Sequence, residues 1–119
     1  MHFDTLQSQT DARGVCTVWL NRPEKYNAMS EKMIVDLTAM AAELRQSDVR
    51  VVVLLARGKS FCAGGDLKWM QAQIMADASS RAMAARALTM MLYAWNTLPQ
   101  AVIDGIHCNA FGGGFGIVL

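Results

Sequence analysis

Apolar residues along this chain fall into blocks of two alternating periods. Val15-Cys16-Thr17-Val18-Trp19-Leu20 is β-branched and aromatic and stops at Asn21-Arg22-Pro23, which reads as a strand closed by a breaker. Phe3 to Gln9 is placed to pair with it as a hairpin, with Asp11-Ala12-Arg13-Gly14 as the turn. Beyond the breaker the period changes. Met33, Leu37, Met40, Ala41 and Leu44 recur at helical spacing. Ser30 stands where an N-cap belongs, with Glu31 in the first turn, so a helix is expected to about Gln46. Val49 to Ala56 is a nearly continuous apolar run of strand length, the pattern of a parallel strand covered on both faces. Two further helices are expected, Asp66 to Met75 and Ala78 to Thr97; the second carries Met83, Ala87, Met91 and Trp95 along one face. A methionine stripe at that spacing fills a core or a groove. Pro99 stops this helix, and Ala101-Val102-Ile103 begins another strand. Strand and helix alternate without internal repeats, so the expected class is α/β.

Composition removes several functions from consideration. With 53% hydrophobic residues in 119, the chain has the material for one modest core and is not disordered. Its net charge of +1 comes from 11 Lys and Arg against 10 Asp and Glu, which leaves neither a basic stripe for nucleic acid nor an acidic tail. No run approaches the ~18 apolar residues of a membrane helix, and the amino end lacks the layout of a secretory signal. No membrane partner is expected. Cys16, Cys62 and Cys108 are odd in number and widely spaced, which argues against a disulfide framework and against a zinc site, and fits a reducing cytoplasm.

Two glycine-bearing stretches carry the candidate chemistry: Ser60-Phe61-Cys62-Ala63-Gly64-Gly65-Asp66-Leu67-Lys68 and Phe111-Gly112-Gly113-Gly114-Phe115-Gly116. Each places backbone N–H groups after an apolar run. Two such loops can aim two amide donors at one oxygen, the usual device for stabilising charge that develops on a thioester or ester carbonyl. Other glycine motifs fit poorly. Gly58-Lys59-Ser60 ends like a phosphate-binding loop, but the first glycine of that motif falls on Val53. Gly112, Gly114 and Gly116 begin like a dinucleotide turn, but its third glycine falls on Ile117. The competing explanation is that these glycines only permit close packing, and their paired occurrence counts against it. An acyl-handling enzyme is the leading reading.

Three stretches in order, Asn21-Arg22-Pro23-Glu24-Lys25-Tyr26-Asn27-Ala28-Met29, Phe61-Cys62-Ala63-Gly64-Gly65-Asp66-Leu67 and Ala110-Phe111-Gly112-Gly113-Gly114, resemble the successive signatures of the enoyl-CoA hydratase/isomerase (crotonase) family. The resemblance covers essentially the whole chain. It implies a β-β-α spiral, acyl-CoA thioester substrates, assembly as a homotrimer or homohexamer, and neither metal nor redox cofactor, with coenzyme A entering as part of the substrate. Carried over by position, it gives the backbone N–H groups of Gly65 and Gly113 to the oxyanion hole. Ala63, Gly65, Asp66, Leu67 and Lys68 would then line the bound coenzyme A, and Lys25 and Lys68 would meet phosphates. Asp66 has a helix cap as its alternative role, and each lysine that of a solvated surface residue. Arg22 and Asn27 are expected to fix the first turn rather than touch substrate. Trp69 to Met91 is expected to cover the acyl group, against ordinary packing.

The departures are as informative. Many hydratases of the family place a glutamate two residues after the third glycine of the second loop, and here that residue is Gly116. A second glutamate of the family would lie beyond Leu119. Hydratases acting on methylglutaconyl-CoA and isohexenylglutaconyl-CoA keep only that downstream group, and Asp66-Leu67-Lys68-Trp69-Met70 resembles their branch. Where the family reads Pro-Val-Ile-Ala and then Asn-Gly, this chain has Ala101-Val102-Ile103-Asp104 and then His107-Cys108. Asp104 on an apolar strand needs a partner or an elevated pKa. His107 and Cys108 are strand neighbours that point to opposite faces, so they do not form a nucleophilic pair.

The resemblance therefore implies hydration of a 2-enoyl-CoA or a branched glutaconyl-CoA. Isomerisation and thioester hydrolysis remain as alternatives, since a shared oxyanion hole does not fix the reaction; so does a non-catalytic remnant or interaction module. Gly112 to Leu119 reads as a glycine turn entering an apolar helix without a terminal cap. Residues 1–119 are accordingly expected to be the amino-terminal part of a single domain, incomplete at the carboxyl end. By itself such a piece should be poorly soluble or associate through its bare apolar faces; a soluble, cooperatively unfolding monomer of these 119 residues overturns that expectation.

Overall fold

Short polar side chains set where each helix begins. In the computed structural model, which describes residues 2–59, 62 and 64–105, the Ser30 hydroxyl accepts from the Met33 N–H at 3.2 Å. The Asp66 and Asp77 carboxylates accept from the Trp69 and Ser80 N–H groups at 3.1 and 2.7 Å. These caps start helices α1 (Glu31–Arg45), α2 (Leu67–Met75) and α3 (Ala78–Asn96). The helix ends expected from sequence lie within a residue or so of these.

Strands β1 (Leu6–Thr10) and β2 (Val15–Leu20) form an antiparallel hairpin with Leu6 opposite Leu20. Its turn is closed by the Asp11 carboxylate, which accepts from the Arg13 and Val15 N–H groups. Strand β3 (Val51–Ala56) lies parallel to β2 with Leu54 opposite Val18, and β4 (Ala101–Asp104) lies parallel to β3 with Asp104 opposite Leu54. The sheet order is β1-β2-β3-β4, so each parallel connection passes through helix. The architecture is α/β, as expected.

One face of the sheet makes the core. Val18, Leu20, Val52 and Leu54 are buried against Met33, Leu37, Met40, Ala41 and Leu44 of α1 and against Met91 and Trp95 of α3. Burying one such side chain contributes about 1.5–3 kcal/mol. The Trp95 indole N–H donates to the Leu37 carbonyl at 2.8 Å, which fixes α3 on α1. Inside this layer Asp36 accepts from the Thr5 hydroxyl at 2.7 Å, the Thr5 N–H at 3.1 Å and the Lys32 ammonium at 2.9 Å. Burial pushes its carboxyl up, but these donors outweigh it and hold the pKa below the ordinary value. Among the described residues no helix is long and apolar enough to cross a membrane.

One expectation is corrected. The β3 run was expected to be covered on both faces, yet Val52 and Leu54 alone are buried while Val51, Val53 and Leu55 are half-buried. The described helices that pack on the sheet, α1 and α3, join the face that carries Val52 and Leu54. The α3 stripe divides between the two roles expected of it, core and groove. Met91 and Trp95 are buried, but Met83 is 70% exposed, because α3 meets the core through its last turns.

Asp104 meets the condition read from its sequence. Its Oδ1 is buried without a hydrogen-bond partner among the described residues, and burial raises its pKa. A carboxyl raised in the folded state stabilises fully below the unfolded value of 3.8. That contribution is lost as pH rises through the folded value. Asp104→Ala should therefore raise the urea midpoint at neutral pH, with a gain that shrinks as the acidity approaches pH 3.8; a gain independent of pH would contradict this placement.

Candidate functional site

The chain leaving β2 cannot continue as a strand, because Pro23 lacks an N–H and opens a single 3-10 turn, Pro23–Lys25. Tyr26 and Asn27 follow in the left-handed region at φ 53° and 55°. Each such residue costs on the order of 1–3 kcal/mol unless its surroundings hold it. Asn27 is fully buried and supplies that hold. Its Oδ1 accepts from the Arg22 N–H at 2.7 Å, and its Nδ2 donates to the Arg57 carbonyl at 2.7 Å, joining this turn to the end of β3. Asn27 thus fixes the first turn, as expected.

From there the chain reaches Met29, which forms a parallel bridge with Gly65. The Met29 N–H donates to the Gly64 carbonyl, and the Asp66 N–H donates to the Met29 carbonyl at 2.7 Å. In this pattern the middle residue turns its own N–H and C=O away from the partner segment. The Gly65 N–H has no hydrogen-bond partner among the described residues. Gly64 beside it holds φ 97°, a conformation that needs glycine.

Asp66 closes the arrangement. While its Oδ1 caps α2, its Oδ2 accepts from Arg22 Nη2 at 3.0 Å, and Arg22 Nη1 donates to the Ala28 carbonyl at 2.6 Å. The two side chains are only 16% and 12% exposed. Burial raises the Asp66 carboxyl, and the Trp69 N–H and the Arg22 guanidinium outweigh it, so the pKa lies below the ordinary value. The pair's contribution is complete above pH 3.8 and is lost as pH falls through the depressed value.

These elements enclose a cleft of about 1090 Å³. Lys25 from the first loop and the consecutive residues Gly65, Asp66, Leu67 and Lys68 from the second all line it. Ala63 and Gly113 lie outside the described residues. Lys25, Leu67 and Lys68 are exposed on the cleft, whereas the Asp66 carboxylate is occupied by its cap and its ion pair. Tyr26, Trp69, Met70 and Gln73 also line the cleft. Of these, Trp69 and Met70 close over Gly65, with the Met70 Cγ and Sδ 3.2 Å from where a Gly65 Cβ would stand. A sequence reader could have found them by projecting the first turn of α2 back over its own cap. A second groove of about 450 Å³ lies among α1, α2 and α3, lined by Ile34, Val35, Trp69, Ala76, Met83 and Ala87 among others.

The family profile described as Enoyl-CoA hydratase/isomerase matches residues 10–119. The enoyl-CoA hydratase AKT6-1 of Alternaria alternata is 34% identical over 107 residues, covering 89% of this chain and 34% of its own length. A crystal structure of an enoyl-CoA hydratase from Shewanella pealeana superposes with a TM-score of 0.93 at 28% identity, over 98% of this chain and 44% of that one. Pseudomonas aeruginosa AtuE gives 0.90 at 36% identity, over 96% and 44%. The chain spans less than half the length of these relatives.

The two adjacent glycines should respond oppositely to a methyl group. Gly64→Ala forces a left-handed alanine and should cost about 1–2 kcal/mol. Gly65→Ala asks only that the half-exposed Met70 side chain shift by a few tenths of an ångström, so its effect should stay below ~1 kcal/mol. Urea unfolding of the two variants side by side checks this order.

Proposed function

The chain belongs to the enoyl-CoA hydratase/isomerase family, and on that footing we propose that its cleft receives an acyl-CoA thioester whose carbonyl oxygen is bound by the Gly65 N–H. The solved relatives carry the same α/β crotonase architecture. The observation that carries the proposal is the Gly65 amide, held on both sides by the Met29 bridge and left without a described partner at the cleft. Gly113 would supply the second donor.

Addition of water to the β-carbon of a 2-enoyl thioester places negative charge on the carbonyl oxygen. Two amides fixed beforehand stabilise that oxyanion more than the neutral carbonyl, so they lower the barrier rather than merely tighten binding. Loss of one such donor costs about 3 kcal/mol of barrier. Lys25 and Lys68, both exposed on the cleft, would meet the phosphates of coenzyme A. The acyl chain would run past Trp69 toward the groove lined by Ala76, Met83 and Ala87. Hydration also needs a group that moves a proton. Since the position where many family hydratases carry a glutamate is Gly116 here, that proton is handled elsewhere in the functional protein, which we read as a homotrimer or homohexamer.

Mass analysis of the functional protein incubated with a 2-enoyl-CoA should find a product heavier by one water. A product of unchanged mass with a shifted double bond would replace hydration by isomerisation, and free coenzyme A would replace it by hydrolysis. Lys25→Ala and Lys68→Ala should each weaken binding of a non-reactive acyl-CoA by about 2- to 5-fold, as exposed charge pairs do, and the loss should fade at high salt.

A further inference from the structure

We propose that Arg22 is the positioning residue of the Gly65 amide, an inference that rests on reading Gly65 as an oxyanion donor. The Met29 to Gly65 bridge joins two loops, one leaving β2 and one leading into α2. A single guanidinium grips both. Its Nη1 holds the carbonyl of Ala28, the residue before Met29, and its Nη2 holds the carboxylate of Asp66, the residue after Gly65. The two flanks of the bridge are thus tied through one rigid planar group, whose donors keep a fixed angle to one another. Arg22 is itself anchored, because its N–H donates to the buried Asn27 side chain.

The same link reaches Gly65 by a second route. Asp66 caps α2, so the grip of Arg22 on Asp66 also sets where that helix begins. Trp69 and Met70, in its first turn, lie against Gly65. Both the plane of the Gly65 peptide and the side chains above it therefore depend on the Arg22 guanidinium. The pair is nearly removed from solvent, where water competes little for its hydrogen bonds. A donor displaced by about 1 Å costs on the order of 10²-fold in rate, so a residue that never touches substrate can govern turnover. A lysine offers a point charge on a flexible stem and cannot span both acceptors with the same geometry.

The test uses Arg22→Lys and Asp66→Asn in the functional protein, each read by the Gly65 amide resonance, by hydrogen exchange of the Met29 and Asp66 amides, and by kcat and KM separately. Asparagine caps helices as well as aspartate does, so Asp66→Asn keeps the start of α2 while removing the ionic partner, and it carries the test if Arg22→Lys does not fold. Both variants should shift the Gly65 resonance, speed exchange of the Met29 and Asp66 amides that donate across the bridge by ~10-fold or more, and lower kcat by ~10-fold or more with KM changed less than about 2-fold. Folded variants whose Gly65 amide is unaltered would overturn the inference. A disturbed amide with turnover intact would uphold the positioning and overturn the reading of Gly65 as the donor.

Discussion

Two backbone hydrogen bonds across Met29 hold the cleft together. They join the loop that leaves β2 to the segment that enters α2, and they do so at a point where neither segment belongs to the sheet. Only a further segment on the far side could have satisfied the Gly65 amide as well. A single bridge satisfies its neighbours and leaves that one donor turned outward. The available donor is thus a consequence of the alternation along the bridged segment, and the Arg22 and Asp66 contacts on its two flanks hold so short a pairing in place.

A buried ion pair is weak evidence for stability, because desolvation offsets most of its attraction. Arg22 and Asp66 avoid much of that penalty by sharing their remaining hydrogen-bonding capacity with Ala28 and Trp69. Their value lies in geometry. The left-handed pair Tyr26 and Asn27 works toward the same end from the other side. The Asn27 side chain replaces bonds that a regular strand or helix would have made, so the chain can reverse direction tightly enough for Arg22 to reach back over Ala28.

Much of this was legible in the sequence, and the reasons differ by element. Ser30 with the apolar spacing behind it announced α1, because a cap and a period are both local properties. Pro23 announced the end of β2 for the same reason. The one-sided burial of β3 was not legible, since an apolar run looks alike whether one face is covered or two; what decides it is where α1 and α3 lie. The exposure of Met83 escaped for a related reason: helical spacing identifies a face but not how far along it the neighbour extends. In the cleft, Lys25, Gly65, Asp66, Leu67 and Lys68 could be named from family signatures. The reach of Arg22 to Asp66 is a long-range side-chain contact that no periodicity encodes.

Asp66 does two tasks with one carboxylate, and this has a bearing on how the molecule opens. The cap on α2 and the link to Arg22 end at the same charge, so neither can be released alone. Taking up one proton there loosens a helix terminus and a loop crossing together, and in the core layer the buried Asp36 is the corresponding carboxylate, released from Thr5 and Lys32 by a proton of its own. The wall of the cleft therefore opens and closes as one piece with the charge on a single carboxylate.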